Sequence, residues 1–242
     1  MSQTARQFVQ YHERVLATNP IAYWPLNEKV GTIAYDWVSG RVAGAQNGAH
    51  VGVTLLQSGI RDGFYSPFYD GANDYTNIYS ATFAGVFNGA VGTVLIWARV
   101  DAVGRWTDGA GRRAVCLRVN ANNYVQITKG AVNNRVYWDY VAGGVARGGP
   151  LDGVTTTDWM CWAETWNRPT DQFRMFYNGT QVGATQNGLG VWAGALSVTE
   201  TVVGAASTVP TSPWVGTLAH CAVWSRVLSA DEIADLYRAR WS

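Results

Sequence analysis

The sequence predicts an all-β sandwich of two antiparallel sheets bracketed by short terminal helices. Three observations point there. Charged residues make up only 14% of the 242 positions while 48% are hydrophobic, so the chain carries enough apolar surface to fold. Its central 200 residues break into short apolar or alternating runs separated by Gly, Asn and Asp, at about a dozen residues per strand and turn. A capping-box pattern followed by helical spacing occurs near each end.

The elements follow in order. Thr4 with Gln7 opens a helix over about residues 4–17, in which Phe8, Tyr11, His12 and Val15 recur at helical spacing until Asn19-Pro20 stops it. We therefore divide the chain into a helical arm, 1–18, and a sandwich domain, 19–242. Thr93–Val100 alternates, with Val94, Ile96, Ala98 and Val100 on one face and Leu95, Trp97 and Arg99 on the other. Similar runs span 114–119, 124–128, 136–141, 160–166, 173–177, 201–203 and 218–224. Asn178-Gly179 joins two of them, and a type I′ turn needs positive φ at both of its central residues. Ser229 with Glu232 caps a second helix over about 230–238, whose stripe is Ile233, Leu236 and Tyr237. Nothing repeats at a fixed period.

Composition excludes some functions. A net charge of +1 with scattered Arg gives no field for a phosphate backbone, so nucleic acid is not an expected partner. No apolar run approaches the roughly 18 residues of a membrane span. His12, Glu13 and Arg14 lie where a secretory signal would need its apolar centre. Cys116, Cys161 and Cys221 match neither a zinc spacing nor an even disulfide set and read as buried thiols. The expected place of synthesis is a cytoplasm, with release by lysis.

The motifs Ile21-Ala-Tyr-Trp-Pro-Leu-Asn-Glu28, Ala34-Tyr-Asp-Trp37, Phe68-Tyr-Asp-Gly71 with Asn73-Asp-Tyr75, Gly92–Trp97, Trp159–Trp166 through Phe176-Tyr-Asn-Gly179, and Gly216–Ser229 with Glu232-Ile233 occur in one order. In that order they resemble the laminin G-like domains of the concanavalin A-like lectin/glucanase superfamily, across about residues 19–238. The resemblance implies a concanavalin A-like jelly roll. The lead-in from Tyr11 to Trp24 is similar to versions of this module in bacteriophage structural proteins, which implies a virion surface component, a capsid decoration or tail protein, contacting glycans or other virion subunits.

Glycoside hydrolases in this superfamily set carboxylates on alternate positions of one strand, and retaining hydrolysis needs two carboxyls about 5–5.5 Å apart. This chain has no such run. Glu164 sits on a central strand without an acidic residue two or four positions away, so no catalytic residue is assigned and the chain is expected not to be an enzyme. The alternatives are a hydrolase using Glu164 and a purely structural decoration protein without sugar affinity. A glycan face is expected from flat aromatics beside polar groups: Trp97 and Arg99, Trp138 and Tyr140, and Trp162, Glu164 and Trp166. The same rings would equally fill the space between sheets or beneath the terminal helices. No cofactor is required. Many relatives carry calcium at the sandwich rim, and Asp70, Asn73 and Asp74 offer hard oxygen ligands for it, or simple turn chemistry. The amphipathic N-terminal helix suits docking on a neighbour in a homo-oligomer or folding back on its own sheet.

Overall fold

The structure, a computed structural model, describes residues 10–40 and 45–241; Thr4, Gln7 and Phe8 lie outside the described residues. The N-terminal helix is described as α1 (Tyr11–Ala17), opened by a capping box between Gln10 and Glu13. Next come β1 (Ala22–Trp24), β2 (Ile33–Ala34), β3 (Gly48–Val51), β4 (Thr54–Ser58), β5 (Tyr65–Asp70) and β6 (Tyr75–Asn77). A short helix α2 (Ala81–Val86), not foreseen from the sequence, is capped by Ser80, whose side chain accepts from Phe83 N at 3.0 Å. The long strand β7 (Val91–Val100) leads into the meander β8 (Arg112–Asn120), β9 (Asn123–Lys129), β10 (Arg135–Ala142) and β11 (Val145–Asp152). Then come β12 (Met160–Asn167), β13 (Gln172–Tyr177), β14 (Thr180–Gln186), β15 (Thr201–Val203), β16 (Val215–Trp224) and α3 (Ala230–Arg238), followed by a 3-10 turn over Ala239–Trp241.

Two eight-stranded antiparallel sheets form the expected sandwich. The first runs β14-β13-β12-β7-β16-β5-β4, with β1 also paired to β16; the second runs β11-β10-β9-β8-β15-β6-β3-β2. Non-sequential neighbours such as β7 beside β16 are the long crossings of a jelly roll. Asn178 and Gly179 turn the β13–β14 hairpin at φ of 50° and 78°, the positive pair that a type I′ turn requires.

Alternation along β7 builds two apolar layers. Val94, Ile96, Ala98 and Val100 enter the core between the sheets, together with Trp138, Tyr140, Trp162 and Trp166. Leu95 and Trp97 point the other way, into a second core that Tyr11 and Val15 of α1 and Ile233 and Leu236 of α3 close from above. The N-terminal helix therefore docks on its own sheet: Trp97 Nε1 donates to Tyr11 Oη at 2.6 Å, and Trp224 Nε1 to Thr18 Oγ1 at 3.0 Å. The reciprocal cap of α3, Glu232 N to Ser229 Oγ at 3.1 Å and Ser229 N to Glu232 Oε2 at 2.8 Å, fixes where that lid begins. Removing it in Ser229→Ala is expected to cost about 1 kcal/mol, read as a lower urea midpoint with unchanged slope.

Candidate functional site

On the second sheet the core takes Leu117 of β8, Val125 and Ile127 of β9, and Val136, Trp138 and Tyr140 of β10. Their neighbours Arg118, Tyr124, Gln126, Tyr137 and Asp139 consequently face outward, because successive strand residues point to opposite sides. The terminal helices lie on the other sheet, so this face carries its own polar order. Register sets Gln126 opposite Asp139 and Asp139 opposite Gly148. Arg113 Nε donates to Gln126 Oε1 at 2.7 Å, and Gln126 Nε2 donates to Asp139 Oδ2 at 2.9 Å. Burial raises the Asp139 pKa above the usual carboxylate range, against the pull of the Gln126 hydrogen bond and the Arg113 charge.

Two half-buried tyrosines flank this ladder. The Arg118 guanidinium lies 5.5 Å from the Tyr124 ring centroid; Arg135 lies 5.5 Å from that of Tyr137 and donates to its hydroxyl at 2.8 Å. Beside Tyr137 and Asp139 opens a cleft of about 550 Å³, lined also by Arg147, Gly148, Gln186 and Asn187. Gly148 sits at φ 145°, and a Cβ there would collide with the Trp138 carbonyl oxygen, so glycine leaves the cleft floor bare. Gln186 holds that floor from the first sheet, accepting from Gly148 N at 2.9 Å and donating to Gly148 O at 2.8 Å. Flat rings beside amides, a carboxyl and guanidinium groups, around a bare backbone, suit the mixed polar and C–H surface of a sugar.

The aromatic set expected from the sequence lies elsewhere. Trp97, Trp138, Tyr140, Trp162, Glu164 and Trp166 are all fully buried. Trp138, Tyr140, Trp162 and Trp166 fill the space between the sheets, where Tyr140 stacks on Trp166 at 5.9 Å between centroids. Trp97 lies under the terminal helices, stacked on Tyr237 at 5.8 Å. As arranged, these six side chains present no surface on which a sugar could stack, which corrects the expected glycan face. Arg99 alone of that set retains solvent-accessible surface, with Nε 3.1 Å from Thr217 Oγ1 and its guanidinium 5.2 Å from the Trp159 ring centroid.

Glu164 is enclosed with neither carboxylate oxygen hydrogen-bonded among the described residues. Burial, and then the Asp139 charge, raise its pKa well above the usual range. The aspartates of the β5–β6 turn serve the backbone: Asp70 Oδ1 accepts from Ala72 N at 2.7 Å, and Asp74 Oδ2 from Asp70 N at 2.8 Å. No group of three or more His, Cys, Asp and Glu that could hold a metal occurs among the described residues. Asp70, Asn73 and Asp74 lie together at this turn, where the two aspartates accept from backbone amides.

Two buried carboxylate–histidine pairs that the sequence did not reveal tie loop residues to strands. His50 Nε2 lies 3.1 Å from Glu28 Oε2, and its Nδ1 2.8 Å from Thr76 Oγ1. His220, at φ 52° where the register of β16 shifts, has Nε2 2.8 Å from Asp62 Oδ2 and Nδ1 2.6 Å from Tyr23 Oη. Both histidines are buried and act as polar staples. The three cysteines are free and buried, and burial raises the Cys116 thiol to about 12.

Comparison with curated proteins gave no match. Among solved structures, domain 4 of a GH43 extracellular arabinanase from Geobacillus stearothermophilus, in complex with arabinotriose, is similar at TM-score 0.67 and 12% identity, covering 90% of this chain and 98% of that one. A Trypanosoma rangeli sialidase in complex with the inhibitor DANA gives 0.62 and 11%, covering 89% of this chain and 32% of that one. The botulinum neurotoxin serotype D binding domain gives 0.61 and 14%, covering 90% and 51%. At these identities the likeness is one of fold. A laminin G family model described as the concanavalin A-like lectin/glucanases superfamily matches residues 70–234. The chain belongs to the concanavalin A-like lectin/glucanases superfamily.

Proposed function

We propose that this protein is a non-catalytic carbohydrate-binding protein whose ligand lies on the outer face of the second sheet, against Tyr124, Tyr137, Asp139 and the cleft over Gly148. The observation that carries the reading is the ordered Arg113–Gln126–Asp139 ladder set between two partly exposed tyrosines. Pre-held polar groups of this kind bind with less loss of side-chain freedom than mobile ones. The fold likeness to an arabinanase domain in complex with arabinotriose is consistent with it.

Burial of Glu164 away from any cleft supports binding without hydrolysis, since a general acid must reach the glycosidic oxygen. We further place the protein on a bacteriophage virion, as a capsid decoration or tail component that meets host glycans or other virion subunits and leaves the cell by lysis. The support is the resemblance of the Tyr11–Trp24 lead-in to virion versions of the module; peptides of this chain in purified particles would bear it out, and their absence would remove it.

The sugar reading is tested with a panel of neutral and acidic polysaccharides in affinity electrophoresis. We expect retardation by at least one polysaccharide, no release of reducing ends, and loss of retardation in Tyr137→Ala and Asp139→Ala. Reducing ends released by wild type and abolished in Glu164→Gln would overturn it.

A further inference from the structure

Resting on the sugar-binding reading above, we infer that the cleft over Gly148 takes neutral polysaccharides and discriminates against those that carry carboxylate or sulfate groups. The ground for this is how the charges of the face are already engaged. Two charged side chains line the cleft, one of each sign, Asp139 and Arg147. Arg147 donates through Nε to Asn187 O and through Nη1 to Ala146 O at 2.6 Å. A Cβ on Gly188 would sit 2.3 Å from its Nη2, and Gly188 N donates to Asp171 Oδ2 at 2.8 Å. The charges of Arg168 and Arg147 both act on that carboxylate.

The other guanidinium groups of the face are matched as well. Arg135 donates to Asp152, and Arg118 Nε lies 3.5 Å from Glu200 Oε1. Arg113 stands at the far end of the ladder, with Gln126 between it and Asp139, the carboxylate on which its charge acts. Each of these cations thus answers to a carboxylate of the chain itself, and an acidic sugar would have to compete for it.

The polar atoms that remain suit hydroxyl groups. Asp139 Oδ2 takes the Gln126 amide, whereas Oδ1 has no hydrogen-bond partner among the described residues. Such an acceptor calls for an O–H donor, which a sugar hydroxyl supplies and an ionised carboxylate or sulfate does not. Tyr137 Oη accepts from Arg135 Nη1 and so has its own proton to donate. An acidic group would in addition bring a second negative charge beside half-buried Asp139, where like charges are poorly screened. At about 550 Å³ the cleft has room for a whole sugar residue, since small-molecule sites run from about 300 to 1,000 Å³.

Affinity electrophoresis in matched pairs of polymers tests this: hydroxyethyl cellulose against carboxymethyl cellulose, methyl-esterified pectin against polygalacturonate, and dextran against dextran sulfate. We expect the neutral member of at least one pair to retard the protein, its charged counterpart to do so about tenfold more weakly or less, and Tyr137→Ala to abolish the effect. Neutral retardation should hold from about 20 to about 500 mM chloride, because no ion pair is there to be screened. Asp139→Asn removes the charge at nearly constant shape and should lower the neutral-over-charged ratio about fivefold or more. A charged polymer that retards wild type as strongly as its neutral counterpart, and loses that effect in Tyr137→Ala, would overturn the selectivity while leaving the sugar-binding face in place. An unchanged ratio in Asp139→Asn would do the same. Retardation by none of these polymers, or retardation that survives Tyr137→Ala, would instead overturn the sugar-binding reading and this inference with it.

Discussion

Asp108→Ala is expected to destabilise the protein by about 3–5 kcal/mol, the cost of leaving a buried charge without its partner. Lys129 is fully buried at the end of β9, with Nζ 2.7 Å from Asp108 Oδ1 and 2.8 Å from Ala110 O. The same carboxylate receives Arg112 Nη2 at 2.6 Å, so one aspartate neutralises two cations in the turn before β8. Partial burial works to raise the Asp108 pKa, but the Lys129 and Arg112 hydrogen bonds outweigh it and bring the value down to about 2. A depressed carboxylate adds stability that is present above its unfolded value of 3.8 and is lost as pH falls through about 2. Urea unfolding of wild type and Asp108→Asn across pH 2–7 should therefore show a gap that is full at neutral pH and narrows between about pH 4 and 2. A gap constant with pH would mean that packing, not charge, holds this turn.

Glu164→Leu should act in the other direction, raising stability by about 1–3 kcal/mol at neutral pH, because it removes a buried group with no hydrogen-bond partner among the described residues and replaces it with a side chain of similar size. The linkage is opposite to that of Asp108. Burial favours the neutral acid, so the folded state retains the proton to higher pH than the unfolded state does. Wild-type stability should accordingly fall as pH rises above the ordinary glutamate value of 4.5, while the leucine variant lacks that slope. Polysaccharide retardation should be unchanged. If Glu164→Leu instead abolished both binding and a measurable hydrolysis, Glu164 would be a working acid and the site would lie inside the sandwich.

Local chemistry made much of the fold legible. The Ser229–Glu232 cap marked a helix observed at Ala230–Arg238, Asn178-Gly179 marked its hairpin, and the alternation of β7 sorted its residues correctly between two faces. The sequence could not show what would cover each face. Leu95 and Trp97 alternate as on a half-exposed strand, yet α1 and α3, respectively some 80 residues before and 140 after in the chain, pack over them. On β10 the pattern Tyr137-Trp138-Asp139-Tyr140 carries aromatics on both faces, so aromaticity alone selected the buried side. The available signal was polarity: Asp139 shares its face with Gln126 and lies opposite Gly148, and a carboxyl beside a bare backbone marks the wet side.

Hydrogen–deuterium exchange with and without a retarded polysaccharide tests the location of the binding face most directly. Protection should appear in β9, β10 and β11, around Tyr124, Tyr137, Asp139 and Gly148, with α1 and α3 unchanged. Protection confined to the α1–α3 side, with β9–β11 exchanging as in the free protein, would contradict the account.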